Sequence, residues 1–156
     1  MTYQIRQSTS ADTALIAHHR SLMFADQGDY LDSDLAAMEI QYAVWVAPKL
    51  ASGDYIGWFA ETDLGEIVAG VGLWLREWPP ILDDETGKQG YLENVYTVPA
   101  HRRQGLSRQL MHALLAWVHE TRVTQNIALH AAPIAQPLYE SLGFISESGL
   151  MLLWID

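Results

Sequence analysis

The chain has 156 residues, with nine Lys and Arg against nineteen Asp and Glu for a formal charge of −10, and no cysteine. Without cysteine, disulfides, thiolate metal sites and a cysteine nucleophile are excluded, and the acidic balance argues against a general nucleic-acid binder, which needs a broad basic face to release counterions. A chain of this length suits one domain, expected over residues 1–156, and can bury roughly 68–70% of its extended surface without metal or disulfide staples.

Tyr3 and Ile5 alternate with polar neighbours and suggest a first strand. Thr9 with Asp12 gives a capping-box signature for the helix that follows, whose stripe is Leu15, Ile16, His19, Leu22 and Met23. Gly28 breaks that pattern. A second helix begins near Ser33 or Asp34 with Leu35, Met38, Tyr42 and Trp45 on one face, and Pro48 is expected to end or kink it. No Lys or Arg lies between Ser21 and Pro48, whereas Asp26, Asp29, Asp32, Asp34 and Glu39 are all acidic. That asymmetry suits either a solvated helix entry or the attraction of an amine.

Tyr55 to Glu61 and Glu66 to Leu75 read as a hairpin turning at Asp63-Leu64-Gly65, with Gly70 and Gly72 marking a bulge or close backbone packing. A long loop is expected from Arg76 to Gly90, carrying Trp78 and the acids Asp83, Asp84 and Glu85. Apolar runs such as the one around Val71 to Leu75 fall far short of a membrane span, and Met1 to Arg6 lacks a signal peptide's hydrophobic region. A cytoplasmic location is the resulting expectation.

The most informative stretch is Tyr91 to Arg122. Leu92, Val95, Tyr96 and Val98 form a strand that Pro99 stops. Leu106, Leu110, Ala113, Leu114, Trp117 and Val118 then recur at helical spacing as one apolar stripe. Between them, Gly105 leaves the helix N-terminus open to an anion, Ser107 adds a hydroxyl, and Arg102, Arg103 and Arg108 reverse the local sign of charge. A P-loop would need Lys then Ser or Thr after its last glycine. A dinucleotide fingerprint needs three glycines and a hydrolase elbow needs glycine on both sides of the serine, so all three patterns fail here. Further on, Ile127 to Ala131 reads as a buried strand, Ala135 to Leu142 as a short helix capped by Gly143, and Phe144 to Ser146 and Met151 to Ile155 as the last strands.

Arg102-Arg103-Gln104-Gly105-Leu106-Ser107 resembles the acyl-CoA pyrophosphate loop of GNAT-type N-acetyltransferases, whose pattern is Gln or Arg, two residues, Gly, one residue, then Gly or Ala. Ser107 departs at the last position but is small. Pro137 to Phe144 is similar to the family's closing motif, a helix bearing a tyrosine and ending in Gly-Phe, while an asparagine often found seven residues before that tyrosine falls on Ala132.

The resemblance implies an α/β (α+β) single domain with a mixed, mostly antiparallel sheet of about six to seven strands and helices on both faces. Its fourth and fifth strands, near Val95 and His130, should splay to admit a pantetheine arm. It further implies acetyl-CoA as cosubstrate, held by Tyr96, Thr97, Val98, Arg102, Arg103, Gln104, Gly105, Leu106 and Ser107, with Tyr139 protonating the leaving thiolate. Glu93 is the best candidate for the base that frees the amine, against an ordinary solvent-facing strand glutamate, and His130 is the runner-up, against a hydrogen-bonded core histidine. Trp78 is a candidate acceptor contact. The six histidines show no zinc spacing, so no metal is expected. The activity implied is N-acetylation of a small, cationic primary amine, with no nucleic-acid or membrane partner and a homodimer left open. A non-catalytic acyl-CoA-binding module and a protein N-terminal or lysine acetyltransferase are the alternatives.

Overall fold

The computed structural model describes residues 1–147, 149, 151, 153 and 154. Strand β1 (Tyr3–Gln7) is followed by a capping box. Thr9 N–H donates to Asp12 Oδ2 at 2.7 Å and Ala11 N–H donates to Thr9 Oγ1 at 3.3 Å, so the side chains of Thr9 and Asp12 satisfy backbone donors at the entry to a 3-10 turn at Ser10–Asp12. Arg6 grips the same carboxylate through two N–H donors at 2.9 and 3.0 Å and so anchors that turn to the first strand. Helices α1 (Thr13–Gln27) and α2 (Asp32–Ser52) follow. Of the two outcomes expected at Pro48, an end to α2 does not occur: the helix continues until Gly53, whose φ of 82° gives the left-handed residue that terminates it.

Strands β2 (Tyr55–Thr62), β3 (Ile67–Glu77) and β4 (Lys88–Thr97) continue the sheet antiparallel in sequence order, and β5 (Ile127–Ala128) joins β4 in parallel. The expected loop over 76–90 is shorter than predicted, because the β3–β4 ladder extends to Glu77↔Lys88. Helix α3 (Leu106–Thr121) connects β4 to β5, and α4 (Gln136–Ser141) follows. No helix among the described residues is long and apolar enough to cross a membrane.

Period-2 alternation along β2 assigns its side chains to two cores. Ile56, Trp58 and Ala60 join Leu106, Leu110, Met111 and Leu114 of α3, whereas Tyr55 and Phe59 join Ile16, Ala17, Tyr42 and Val46 of α1 and α2. Helices therefore cover both faces, as expected. Leu106, Leu110 and Leu114 of α3 are almost wholly buried, each contributing about 1.5–3 kcal/mol. These contacts fix the start of α3 against the end of β4.

The sheet among the described residues has five strands, not six or seven. Phe144 to Ser146 lies in no strand, because the chain is still closing α4: Gly143 has φ 95° and donates to Glu140 O, and Phe144 N–H turns back to Tyr139 O. Of the expected strand from Met151 to Ile155, Leu152 and Ile155 lie outside the described residues, and Met151, Leu153 and Trp154 are in no strand. Likewise β5 is two residues long and half-buried, not a buried strand reaching Ala131.

Candidate functional site

Two features of β4 build the site. Its pairing with β5 covers only Gly90↔Ile127 and Tyr91↔Ala128, so from Leu92 onward β4 has no ladder partner on that side among the described residues. The expected splay is present. A cavity of 710 Å³ lies there, with Val95, Tyr96 and Thr97 on one wall, Ala132, Ile134, Ala135, Leu138 and Tyr139 on another, and Arg102, Arg103, Gly105, Leu106, Ser107 and Arg108 at its basic end.

That basic end is the N-terminus of α3. Gly105 is its N-cap at φ 76°, and the first helical bond runs from Gln109 N–H to Gly105 O, so the N–H groups of Leu106, Ser107 and Arg108 have no acceptor within the helix. A Cβ built on Gly105 would meet nothing within 4 Å, so the approach to those N–H groups is open. Arg102 donates its Nε–H to Thr97 O at 2.9 Å and pairs through Nη2 with Asp26 of α1, which also borders the cavity. Of the predicted binding residues, Val98 and Gln104 stand apart from the cavity. Val98 packs on the core and donates to Val68 O, and the Gln104 amide oxygen accepts from the Tyr3 hydroxyl at 2.7 Å.

At the other end, Tyr139 is 6% exposed and stands edge-on to Phe144 at 5.9 Å. Burial raises its phenol pKa, and its hydroxyl has no hydrogen-bond partner among the described residues. Its oxygen keeps its full bonding capacity for a ligand in the cavity.

The second feature is a bulge in β4. The register jumps from Gly72↔Glu93 to Gly70↔Tyr96, and Asn94 within the jump adopts φ 57°. Glu93 and Asn94, consecutive in sequence, consequently both reach Tyr42 of α2. Tyr42 donates its hydroxyl hydrogen to Glu93 Oε1 at 2.5 Å, and Asn94 Nδ2 donates to Tyr42 Oη at 2.8 Å and Tyr55 Oη at 2.9 Å. Glu93 is not solvent-facing: its side chain is 10% exposed. Burial raises its carboxyl pKa, opposed by the Tyr42 hydrogen bond and by the charges of Arg20 and Lys49.

His130 is neither in a strand nor in the core. It is exposed beyond β5, sharing a hydrogen bond with the Tyr91 hydroxyl. Trp78 is partly exposed on the β3–β4 connection, with the Arg76 guanidinium 4.6 Å from its ring. Of the acidic stretch, Asp26 is paired with Arg102 and Glu39 with His18, while Asp29, Asp32 and Asp34 are exposed. Sequence reasoning missed Arg20, Tyr42, Tyr55 and Asn94, which surround Glu93. Tyr42 was legible only as part of an apolar stripe, and Asn94 gave no signal because alternation places it on the face opposite Glu93.

The sequence matches the model of the acetyltransferase (GNAT) family over residues 17–144, which includes the splayed strand, the α3 N-terminus and α4. The chain belongs to that family. The fold is similar to that of a GCN5-related N-acetyltransferase from Ralstonia eutropha JMP134, at 33% identity over 98% of this chain and 99% of that one, with a TM-score of 0.85. A predicted acetyltransferase from Clostridium acetobutylicum, whose structure contains acetyl-CoA, has a TM-score of 0.86 at 24% identity, covering 97% and 96% of the two chains. In sequence, an aminoglycoside N(6')-acetyltransferase type 1 from Acinetobacter haemolyticus is 36% identical over 63 residues, 38% of this chain and 43% of that enzyme. The match thus spans less than half of that relative.

Proposed function

We propose that this GNAT protein transfers the acetyl group of acetyl-CoA to the primary amine of a small, cationic acceptor by direct attack. The observation that carries this reading is the continuity of one cavity from the open N-terminus of α3 to the Tyr139 hydroxyl, along the segment where β4 lacks a partner. The local similarity to an aminoglycoside acetyltransferase supports a polyamine-like acceptor.

The residues present fit the cosubstrate. The free N–H groups of Leu106, Ser107 and Arg108, with Arg102 and Arg103, supply donors and positive charge for a pyrophosphate, and Gly105 leaves room for it. Tyr96 and Thr97 border the path of an extended pantetheine arm. When bound, acetyl-CoA supplies an activated acyl carbon and a thiolate leaving group.

An amine of ordinary pKa near 10.4 is almost wholly ammonium at neutral pH and cannot attack. Glu93 takes its proton. Burial suits the carboxylate to that task by raising its pKa toward neutrality, although Glu93 itself lies outside the cavity wall that Val95 joins two residues later. Tyr139 donates its hydroxyl proton to the departing sulfur. A panel of amines assayed for acetyl-CoA-dependent thiol release tests the reading: diamines and aminoglycosides should release thiol, and release with no amine in the panel would contradict it.

A further inference from the structure

The hydrogen bonds around Glu93 run in a one-way order. An arginine has only donors, so Arg20 Nη1, 2.9 Å from the Asn94 side chain, must face its oxygen. That contact fixes which way round the Asn94 amide sits. Both Nδ2 hydrogens then point at phenol oxygens, those of Tyr42 and Tyr55. The Tyr42 oxygen, already accepting from Asn94, directs its own hydrogen at Glu93 Oε1. Each link settles the direction of the next.

The geometry points to Arg20, Asn94 and Tyr42 as positioning residues for Glu93, a relay of hydrogen-bond direction that holds one carboxylate oxygen and leaves the other for the substrate proton. This rests on the reading of Glu93 as the base. Oε1 is held by Tyr42, whereas the nearest cation to Oε2 is Arg20 Nη1 at 3.7 Å, beyond hydrogen-bonding distance. In the proton transfer the ammonium N–H bond breaks, the electron pair stays on nitrogen, and an O–H bond forms at Oε2.

Two costs in the fold support a dedicated arrangement. Asn94 is held in the left-handed region, a strained conformation for a residue with a side chain, and its three side-chain hydrogen bonds offset that cost. The Tyr55 hydroxyl reaches Asn94 only because residue 72 has no side chain. The ionisable groups facing Glu93 are Arg20 from α1, Tyr42 and Lys49 from α2, Tyr55 from β2 and Tyr91 on β4 itself. Among them Tyr42 is the one within direct hydrogen-bonding distance.

The test is the pH dependence of kcat/KM in three single variants and one double variant. Tyr42→Phe removes the donor to Oε1, so the acid limb should move to higher pH by about one unit, with acetyl-CoA affinity unchanged. Asn94→Gly suits the left-handed backbone, removes only the amide and should move the limb the same way. Combining the two should add no further shift, because Asn94 acts through Tyr42. Glu93→Gln separates this proposal from its premise. A Glu93→Gln enzyme that keeps its activity and acid limb overturns Glu93 as the base. Loss of the limb in Glu93→Gln, with no movement in Tyr42→Phe or Asn94→Gly, overturns only the positioning. If Tyr42→Phe fails to fold, an unmoved limb in folded Asn94→Gly still overturns it.

Discussion

The phenol of Tyr55 fills the space that a side chain at residue 72 would need: a Cβ on Gly72 would lie 1.8 Å from the Tyr55 hydroxyl oxygen and 2.4 Å from Cζ. Gly72→Ala therefore requires Tyr55 to leave its place, breaking its buried hydrogen bond with Asn94. A loss on the order of 3 kcal/mol is expected, read as a lower urea midpoint at unchanged m-value. Tyr55→Phe should not rescue it, since the ring carbon still overlaps. A Gly72→Ala protein of wild-type stability would show that the ring moves freely.

This glycine also shows how much the sequence could tell. Gly70 and Gly72 inside a strand predict a bulge or close backbone packing: the register does shift between them, with the extra residue in β4 opposite, and it is the Tyr55 side chain that crosses over Gly72. The basic turn and the stripe of α3 were equally legible because they are local and periodic. The surroundings of Glu93 were not, because the bulge breaks the alternation from which the facing of Asn94 is inferred, and Arg20 and Tyr42 come from helices far away in sequence. Similarly, Ile127 to Ala131 has a strand's composition, but its ladder stops at Ala128 where β4 and β5 part.

His19 is 4% exposed, its Nδ1 is buried without a hydrogen-bond partner among the described residues, and its pKa is lowered to about 4, mainly by burial and secondarily by the charge of His18. Its ordinary value is 6.5, so the unfolded chain binds this proton more readily than the folded one. The stability it contributes is fully present above pH 6.5 and is lost as pH falls toward about 4, by on the order of 3 kcal/mol. Denaturant melts between those pH values should show the decline in the native protein and a flatter profile in His19→Phe. An equal decline in both would assign the acid sensitivity elsewhere.

Tyr139→Phe keeps the ring that packs on Phe144 and removes only the oxygen. If that hydroxyl protonates the leaving thiolate, turnover falls by about 100-fold or more while acetyl-CoA affinity changes little. Near-normal turnover at saturating substrates, with chemistry shown to be rate-limiting, would remove Tyr139 from the reaction.

Asp29, Asp32 and Asp34 are exposed at the α1–α2 connection, and the chain carries a formal charge of −10. Cationic amines should outperform anionic amino acids, and added salt should raise their apparent KM by screening the attraction. Steady-state kinetics across an ionic-strength series measures this. A preference for an acidic acceptor without a salt effect would count against a cationic substrate.

The most direct test of the cavity's role is calorimetric titration of acetyl-CoA into the native protein and into Gly105→Val, with folding checked by circular dichroism. In the native protein, Gly105 has φ 76° and open space where a side chain would stand. A valine there places a branched group over the free N–H groups of α3 and strains the turn. The account predicts binding by the native protein and lost affinity in a folded Gly105→Val; equal affinity in the two would place the phosphates elsewhere and contradict it.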